Sequence, residues 1–243
     1  MNTVKTPWSM WLLRMQIILV ALIPLFIIGY RAGWLGVKSG FLSASFSILA
    51  AAAFGLVGVF VMLWALGRGN RAPGAGWTVV LGALPLLAMG NLILSGGLSV
   101  PPIHDISTDV IDPPAFKKVL ELRKKGENSL VYGGPKLAVQ QQQAYADVQT
   151  IETGLALPAA HAKALAAVQE LGWQVVADNK EVGHIEAVIS SAVFGFKDDV
   201  VIRSRVGEQG VVVDLRSASR LGLSDLGANA KRIRAFIAVF NQP

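Results

Sequence analysis

Three stretches almost free of charge, residues 11 to about 30, 41–66 and 77–94, occupy most of the first hundred positions. Each is long enough to cross a hydrocarbon core of roughly 30 Å, for which an α-helix needs about 20 apolar residues. In lipid the backbone must satisfy its own hydrogen bonds, so helices are the structures these segments can form. Residues 1–98 are therefore expected to be a three-helix transmembrane anchor. Lys5 and Arg14 precede the first run as in a signal peptide, but no small-x-small cleavage site follows Ile28 and two more apolar spans come next, so retention is expected.

The basic residues give the orientation. With three spans the N-terminus shares a side with the second loop, which groups Lys5, Arg14, Arg68 and Arg71. The other side has Arg31 and Lys38, then the acidic entry Asp105, Asp109 and Asp112 before Lys117 and Lys118. The positive-inside bias puts the N-terminus in the cytoplasm and the C-terminal region outside, which in a bacterium means an inner-membrane protein with a periplasmic domain. The net charge of +6 belongs in part to these loops, and no RNA-binding signature interleaves aromatics with basic residues, so no nucleic-acid partner is expected. The absence of cysteine neither requires nor excludes an oxidising compartment.

Within the spans only Arg14 is ionisable, close enough to an end to snorkel. The second span is rich in small residues, "SILAAAAFGLVG", where Ala51 and Gly55 let helices approach. Pro85 is expected to kink the third span and Asn91 to bond to a neighbour. This pattern is that of a packed anchor rather than a channel.

Residues 99–144 read as a Pro-rich tether: "PPIHDISTDVIDPPAF" has four prolines and "YGGPK" breaks regularity again. Only "FKKVLELRKKG" suggests a short helix. Residues 145–243 then change period cleanly. "YADVQTIET" alternates as a strand, and "LPAAHAKALAAVQELG" has helical spacing with Pro158 near its start and Gly172 as its stop. Four strands follow, "WQVVAD", "GHIEAVISSAVF", "DDVVIRSRV" and "GVVVDLRSASR", joined by turns short enough for hairpins. A last helix runs from near Ser224 to about Asn241, with Leu226, Ala230, Ile233, Ile237 and Phe240 as its apolar stripe. The expected fold is α+β, β-α-β-β-β-β-α, with both helices on one face of a five-stranded antiparallel sheet. Val211, Val213 and Leu215 point to that face; Val212, Asp214, Arg216 and Arg220 point to the other, which is expected to be open and charged.

At these residues the chain resembles a known family. "PPIHDISTDVIDPPAF", "AVFGFKDDVVIRSRV" and "VDLRSASRLGLSDLGANAKRIRAF" look like the bacterial domain-of-unknown-function family 1499, over about residues 100–240. The resemblance implies no activity. The element order is also similar to the TATA-binding-protein-like fold, a likeness of architecture alone.

Three polar groupings are candidates for function. His104, Asp105, Asp109 and Asp112 have the chemistry of cation ligands, but an extended segment spreads them out and no metal is expected. Glu186, Arg203, Arg205, Asp214 and Arg216 lie on the open face, where charges pair across strands or meet an anionic or protein partner. Arg220, Asp225, Asn229 and Arg232 cluster where the last strand hands over to the last helix. There Gly222 permits the turn, Ser224 or Asp225 caps the helix, and Arg220 and Arg232 are placed to close on Asp225. No nucleophile with a base, metal-protease motif, phosphate loop or dinucleotide fingerprint is present, so catalytic residues are unknown and no cofactor is expected. The reading is an integral inner-membrane protein whose periplasmic domain is a non-catalytic binding or scaffold module for an envelope protein, a lipid or a glycan. The alternatives are a hydrolase-like envelope enzyme using the Arg220, Asp225, Asn229 and Arg232 cluster, or an accessory subunit of a membrane complex.

Overall fold

The structure, a computed structural model, describes residues 8–94, 99–208 and 210–243, the side chains of 88, 89 and 91–94 excepted. Lys5 and the Asn91 side chain lie outside the described residues. The chain forms two compact units that divide between residues 96 and 97.

The first unit is helical: α1 (Trp8–Arg31), α2 (Val37–Gly67) and α3 (Ala75–Leu94). α1 and α2 are long and apolar enough to cross a membrane; α3 is apolar over Ala75–Leu87, the part whose side chains are described. Most of their large side chains face outward, Phe46 at 71%, Phe60 at 69% and Leu87 at 70% exposure, the reverse of a core helix in a water-soluble protein. What faces inward is small. Gly40, Ala44, Ser47, Ala51, Gly55 and Gly58 line the buried side of α2, and a Cβ on Gly82 of α3 would stand 2.6 Å from the Gly55 Cα. The small-residue face of α2 is thus used inside its own bundle. The Gln16 side chain, buried among the helices, donates to the Ala51 carbonyl at 3.1 Å. Pro85 is accommodated inside α3.

The second unit is an antiparallel sheet of six strands. β1 (Asp105–Ser107), β2 (Ile151–Thr153), β3 (Gln174–Asn179), β4 (His184–Ser190), β5 (Lys197–Gly207) and β6 (Gly210–Ser219) stand in the order β1-β6-β5-β4-β3, with β2 also on β6. β1 and β2 lie end to end along one edge of β6, opposite Arg216–Ala218 and Val211–Val213. The outer edge of β1 is closed by a side chain: Gln141, on α4 (Gly134–Ala144), accepts from the Ser107 N–H at 2.9 Å and donates to its carbonyl at 2.6 Å. At the other edge β3 carries an irregularity between Val175 and Ala177.

α5 (Leu157–Glu170) and α6 (Ala228–Phe240) cover one face. Ala160, Ala164 and Val168 of α5 and Ile233, Phe236 and Phe240 of α6 pack on Ile185, Val200, Ile202, Val213 and Leu215. The face assignments read from alternation along β5 and β6 hold here. The sheet has six strands where five were expected, the strand expected over 145–153 is reduced to Ile151–Thr153, and the one expected to reach Phe194 ends at Ser190. On the helix face Phe236 is fully buried, and Leu226 lies outside the helix and is exposed.

The segment expected to be a tether belongs to the fold. Residues 103–131, the strap below, supply β1, pack Phe116, Val119 and Leu130 on Val188, Val201 and Ala218, and so cover the sheet face expected to be open. The "FKKVLELRKKG" helix is one 3-10 turn, Lys118–Glu121. The reason is long-range: Asp105, Val119 and Arg123 each find a buried partner 67 to 111 residues away in sequence.

Candidate functional site

The strap face carries most of the charged candidates, and alternation along β5 and β6 places them. Arg216 holds Asp105 through two hydrogen bonds, Nε to Oδ1 at 2.9 Å and Nη2 to Oδ2 at 2.7 Å. Its guanidinium lies against Phe116 at 5.0 Å and Tyr132 at 5.3 Å and donates to the Leu130 carbonyl. Burial, then the Asp105 carboxylate, pushes the Tyr132 phenol up to about 12. Arg203 reaches Asp214 at 3.0 Å and Asp112 at 2.8 Å; Arg205 reaches Asp214 and Asp109, both at 3.3 Å. Asp214 has no exposed surface and also accepts from Thr150 Oγ1 at 2.6 Å. Burial works against the Arg203 charge, but the Asp214 and Asp112 carboxylates outweigh it and hold its pKa above the ordinary value.

Two further carboxylates organise the rest of this face: Glu186, already placed on it by alternation, and Asp199, which the sequence did not single out. Asp199 is shared by Arg220, through both oxygens, and Arg123. Glu186, fully buried on β4, accepts the N–H groups of Lys117, Lys118 and Val119 at 2.7 to 2.9 Å and His184 Nε2 at 2.7 Å. It thereby supplies acceptors to the start of the 3-10 turn. Burial pushes its carboxyl up, but the His184 bond and the three N–H donors prevail and hold it below the usual carboxylate value.

The hand-over cluster is split between the two faces. Arg220 points to the strap and Asp199, so the expected Arg220–Asp225 pair does not form. Arg232 pairs with Asp198 at 2.5 Å instead of Asp225. On the helix face Ser217 Oγ donates to Asn229 Oδ1 at 2.6 Å, Asn229 Nδ2 donates to Ser219 Oγ and the His104 carbonyl at 2.9 Å, and Arg232 donates to Ser217 Oγ and Asn229 Oδ1. α6 begins at Ala228, later than expected. Asp225 still serves its start, accepting the Gly227 and Asn229 N–H groups, each at 2.8 Å. Burial raises the Asp225 carboxyl above its ordinary value, against those bonds. Gly222 makes the preceding turn with φ +91°.

The arrangement is closed chemistry. Each of the eight candidate residues is engaged by partners within its own unit, and Asp105, Asp109 and Asp112 point at arginines instead of converging on one centre. His104 Nδ1 lies 3.4 Å from the Leu223 carbonyl, His184 serves Glu186, and His161 holds Asp178 at 2.7 Å from a position only 3% exposed. None of the three stands beside a serine or threonine hydroxyl in a hydrogen bond among the described residues. An open groove of about 570 Å³ lies where β2 meets the β5–β6 hairpin, bordered by Glu152, Thr153, Arg205 and Glu208. The strap's partners had one signal in the sequence: three aspartates in eight residues, set against arginines on alternate positions of two strands.

No curated protein matches the chain. A family model does match, over residues 105–240, more than half of the sequence and starting at the first residue of β1. The chain belongs to the DUF1499 family, whose description is a protein of unknown function.

Proposed function

We propose that this chain is an integral protein of the bacterial inner membrane, crossing it three times with its N-terminus in the cytoplasm. Its periplasmic α+β domain serves as a non-catalytic binding or scaffold module for an envelope protein, a lipid or a glycan. The observation that carries the non-catalytic half is the closure of the candidate clusters: a catalytic group needs free valence toward a substrate, and the arginines and carboxylates here spend theirs on one another. A hydrolase built on Arg220, Asp225, Asn229 and Arg232 loses its geometry, because Arg220 faces away from the other three. The membrane half rests on apolar helices with outward-facing side chains and on the distribution of basic residues. An accessory subunit of a larger complex would have to use the outer faces of the bundle, since the small residues of α2 pack within it. We keep the TATA-binding-protein-like likeness as a reading of fold, supported by the pairing of β2 with β6 and the run of hairpins after α5.

Alkaline phosphatase fusions test the topology. A fusion after Val100 should be active and one after Arg71 inactive, and the reverse would overturn the orientation. Cross-linking in native membranes with recovery through the full chain tests the module. A partner lost on substitution of groove residues Glu152 and Glu208 would support it, whereas turnover of a substrate by the purified chain would sink the non-catalytic reading.

A further inference from the structure

One end of the helix bundle gathers four of its five tryptophans, Trp8, Trp11, Trp64 and Trp77, together with Arg14, Arg68 and Arg71. The Ser9 hydroxyl donates to the Pro73 carbonyl at 2.8 Å, tying the start of α1 to the loop between α2 and α3. Trp8 meets Trp64 edge to face at 6.5 Å. The Arg14 guanidinium lies 4.9 Å from the Trp11 ring, and that of Arg68 lies 4.6 Å from the Trp64 ring. Trp77 opens α3 at the same end and is 66% exposed. Arg14, Arg68 and Arg71 are all exposed.

These cations have no counter-ion in their own unit, because positions 1–100 contain six Lys and Arg and not one Asp or Glu. All the carboxylates of the chain lie from Asp105 onward. We propose that this end of the bundle, through Arg14 and Arg68 seated on Trp11 and Trp64, binds the headgroup phosphate of an anionic phospholipid.

The chemistry favours that occupant on three counts. A guanidinium presents a fork of donors matched to phosphate oxygens and keeps them while stacked on a ring. Tryptophan rings settle at the headgroup level of a bilayer. Helical side chains lean toward the N-terminus, so Arg14, two turns into α1, reaches back over Trp11 to that level instead of sitting among acyl chains. The inference rests on the membrane reading above, under which this end meets the cytoplasmic leaflet, the anionic one.

The full chain is reconstituted in phosphatidylcholine vesicles containing a minor fraction of either phosphatidylglycerol or phosphatidylcholine brominated near the headgroup, and tryptophan quenching is compared. The brominated anionic lipid should quench more, with a relative occupancy raised roughly fivefold per arginine. Arg14→Gln/Arg68→Gln should bring the two lipids to equality, while Arg31→Gln/Lys38→Gln should keep the preference. In the unaltered chain the preference should shrink as salt rises from about 0.1 to 1 M, a reading independent of any variant. Equal quenching in the unaltered chain, a preference indifferent to salt, or one that survives Arg14→Gln/Arg68→Gln overturns the site. Absence of quenching by either lipid overturns the membrane reading instead.

Discussion

The two faces of the sheet are closed by different forces. Under α5 and α6 the contacts are apolar and non-directional: Ile233, Phe236, Ile202 and Leu215 are fully buried, and their stability scales with area removed from water. Under the strap a small apolar patch is surrounded by directional bonds: Asp105 with Arg216, Asp199 with Arg220 and Arg123, Glu186 with three N–H groups. An apolar face accepts a neighbour of similar size and shape. A charged face accepts only the partner whose groups match in number and position, because each unmatched buried charge is costly. The helix face gives this domain its core, and the strap face fixes which segment may lie on it.

The comparison would break most visibly by removing the strap. Residues 97–243 should melt cooperatively by circular dichroism, whereas residues 140–243 should be molten or aggregated, since Arg216 and Glu186 would lose their buried partners and Val201 its cover. A cooperative melt of the shorter piece would reduce the strap to an ornament. Next in size are single changes in the ion pairs. Arg216→Ala should cost about 3–5 kcal/mol in urea titration, because Asp105 is left buried and uncompensated. On the other face Ile233→Val should cost only about 1 kcal/mol. The paired replacement Asp105→Leu/Arg216→Met should recover most of the loss, and failure to do so would mean that the pair also selects the strap's register.

Glu186 sharpens the contrast through pH. Its folded pKa lies below the ordinary 4.5, so its contribution is complete above the unfolded value and fades as pH falls through the folded one. Glu186→Gln should cost about 1–3 kcal/mol at neutral pH, as its amide must turn a donor toward a backbone N–H. The variant should also lose less stability than the parent on acidification below about pH 4.5. Equal acid slopes for the two proteins would remove Glu186 from that role. The smallest effect concerns the split hand-over cluster. Asp225→Ala should cost about 1 kcal/mol as a lost cap, and its double-mutant cycle with Arg220→Ala should give coupling within about 0.5 kcal/mol of zero. Coupling of several kcal/mol would put the two residues back in one site.

The helix face was legible in the sequence because its signals are local. Val211, Val213 and Leu215 announce their side by alternation, and Ala230, Ile233 and Ile237 by helical spacing. The strap was not legible, because proline-rich "PPIHDISTDVIDPPAF" has no period to read and β1 is three residues long. Its place is decided by Asp105 meeting Arg216 across 111 positions, information that no window of the sequence contains. The candidate arginines and their cross-strand partner Asp214 were found, but the strap carboxylates that meet Arg203, Arg205 and Arg216 were not matched to them: a charged alternation shows that a face is polar without showing what lies on it. Asp225 was assigned to the helix start correctly, since an Asx residue before a helix has a local job. Arg220 was assigned to it wrongly, although alternation with Asp214 and Arg216 had already put it on the opposite face, where it meets Asp199.

Gln141 has a consequence for what this sheet can recruit. By presenting an amide to both peptide groups of Ser107 it imitates the next strand without being one, and the ladder ends there with nothing left to template. Growth from that side would first require the glutamine to let go. The opposite margin is β3, and its irregular register offers a poor ruler for a long, flat partner. Under the membrane reading proposed above, copies of the chain would be concentrated beside one another, and an edge that terminates itself would be protected from polymerising with them.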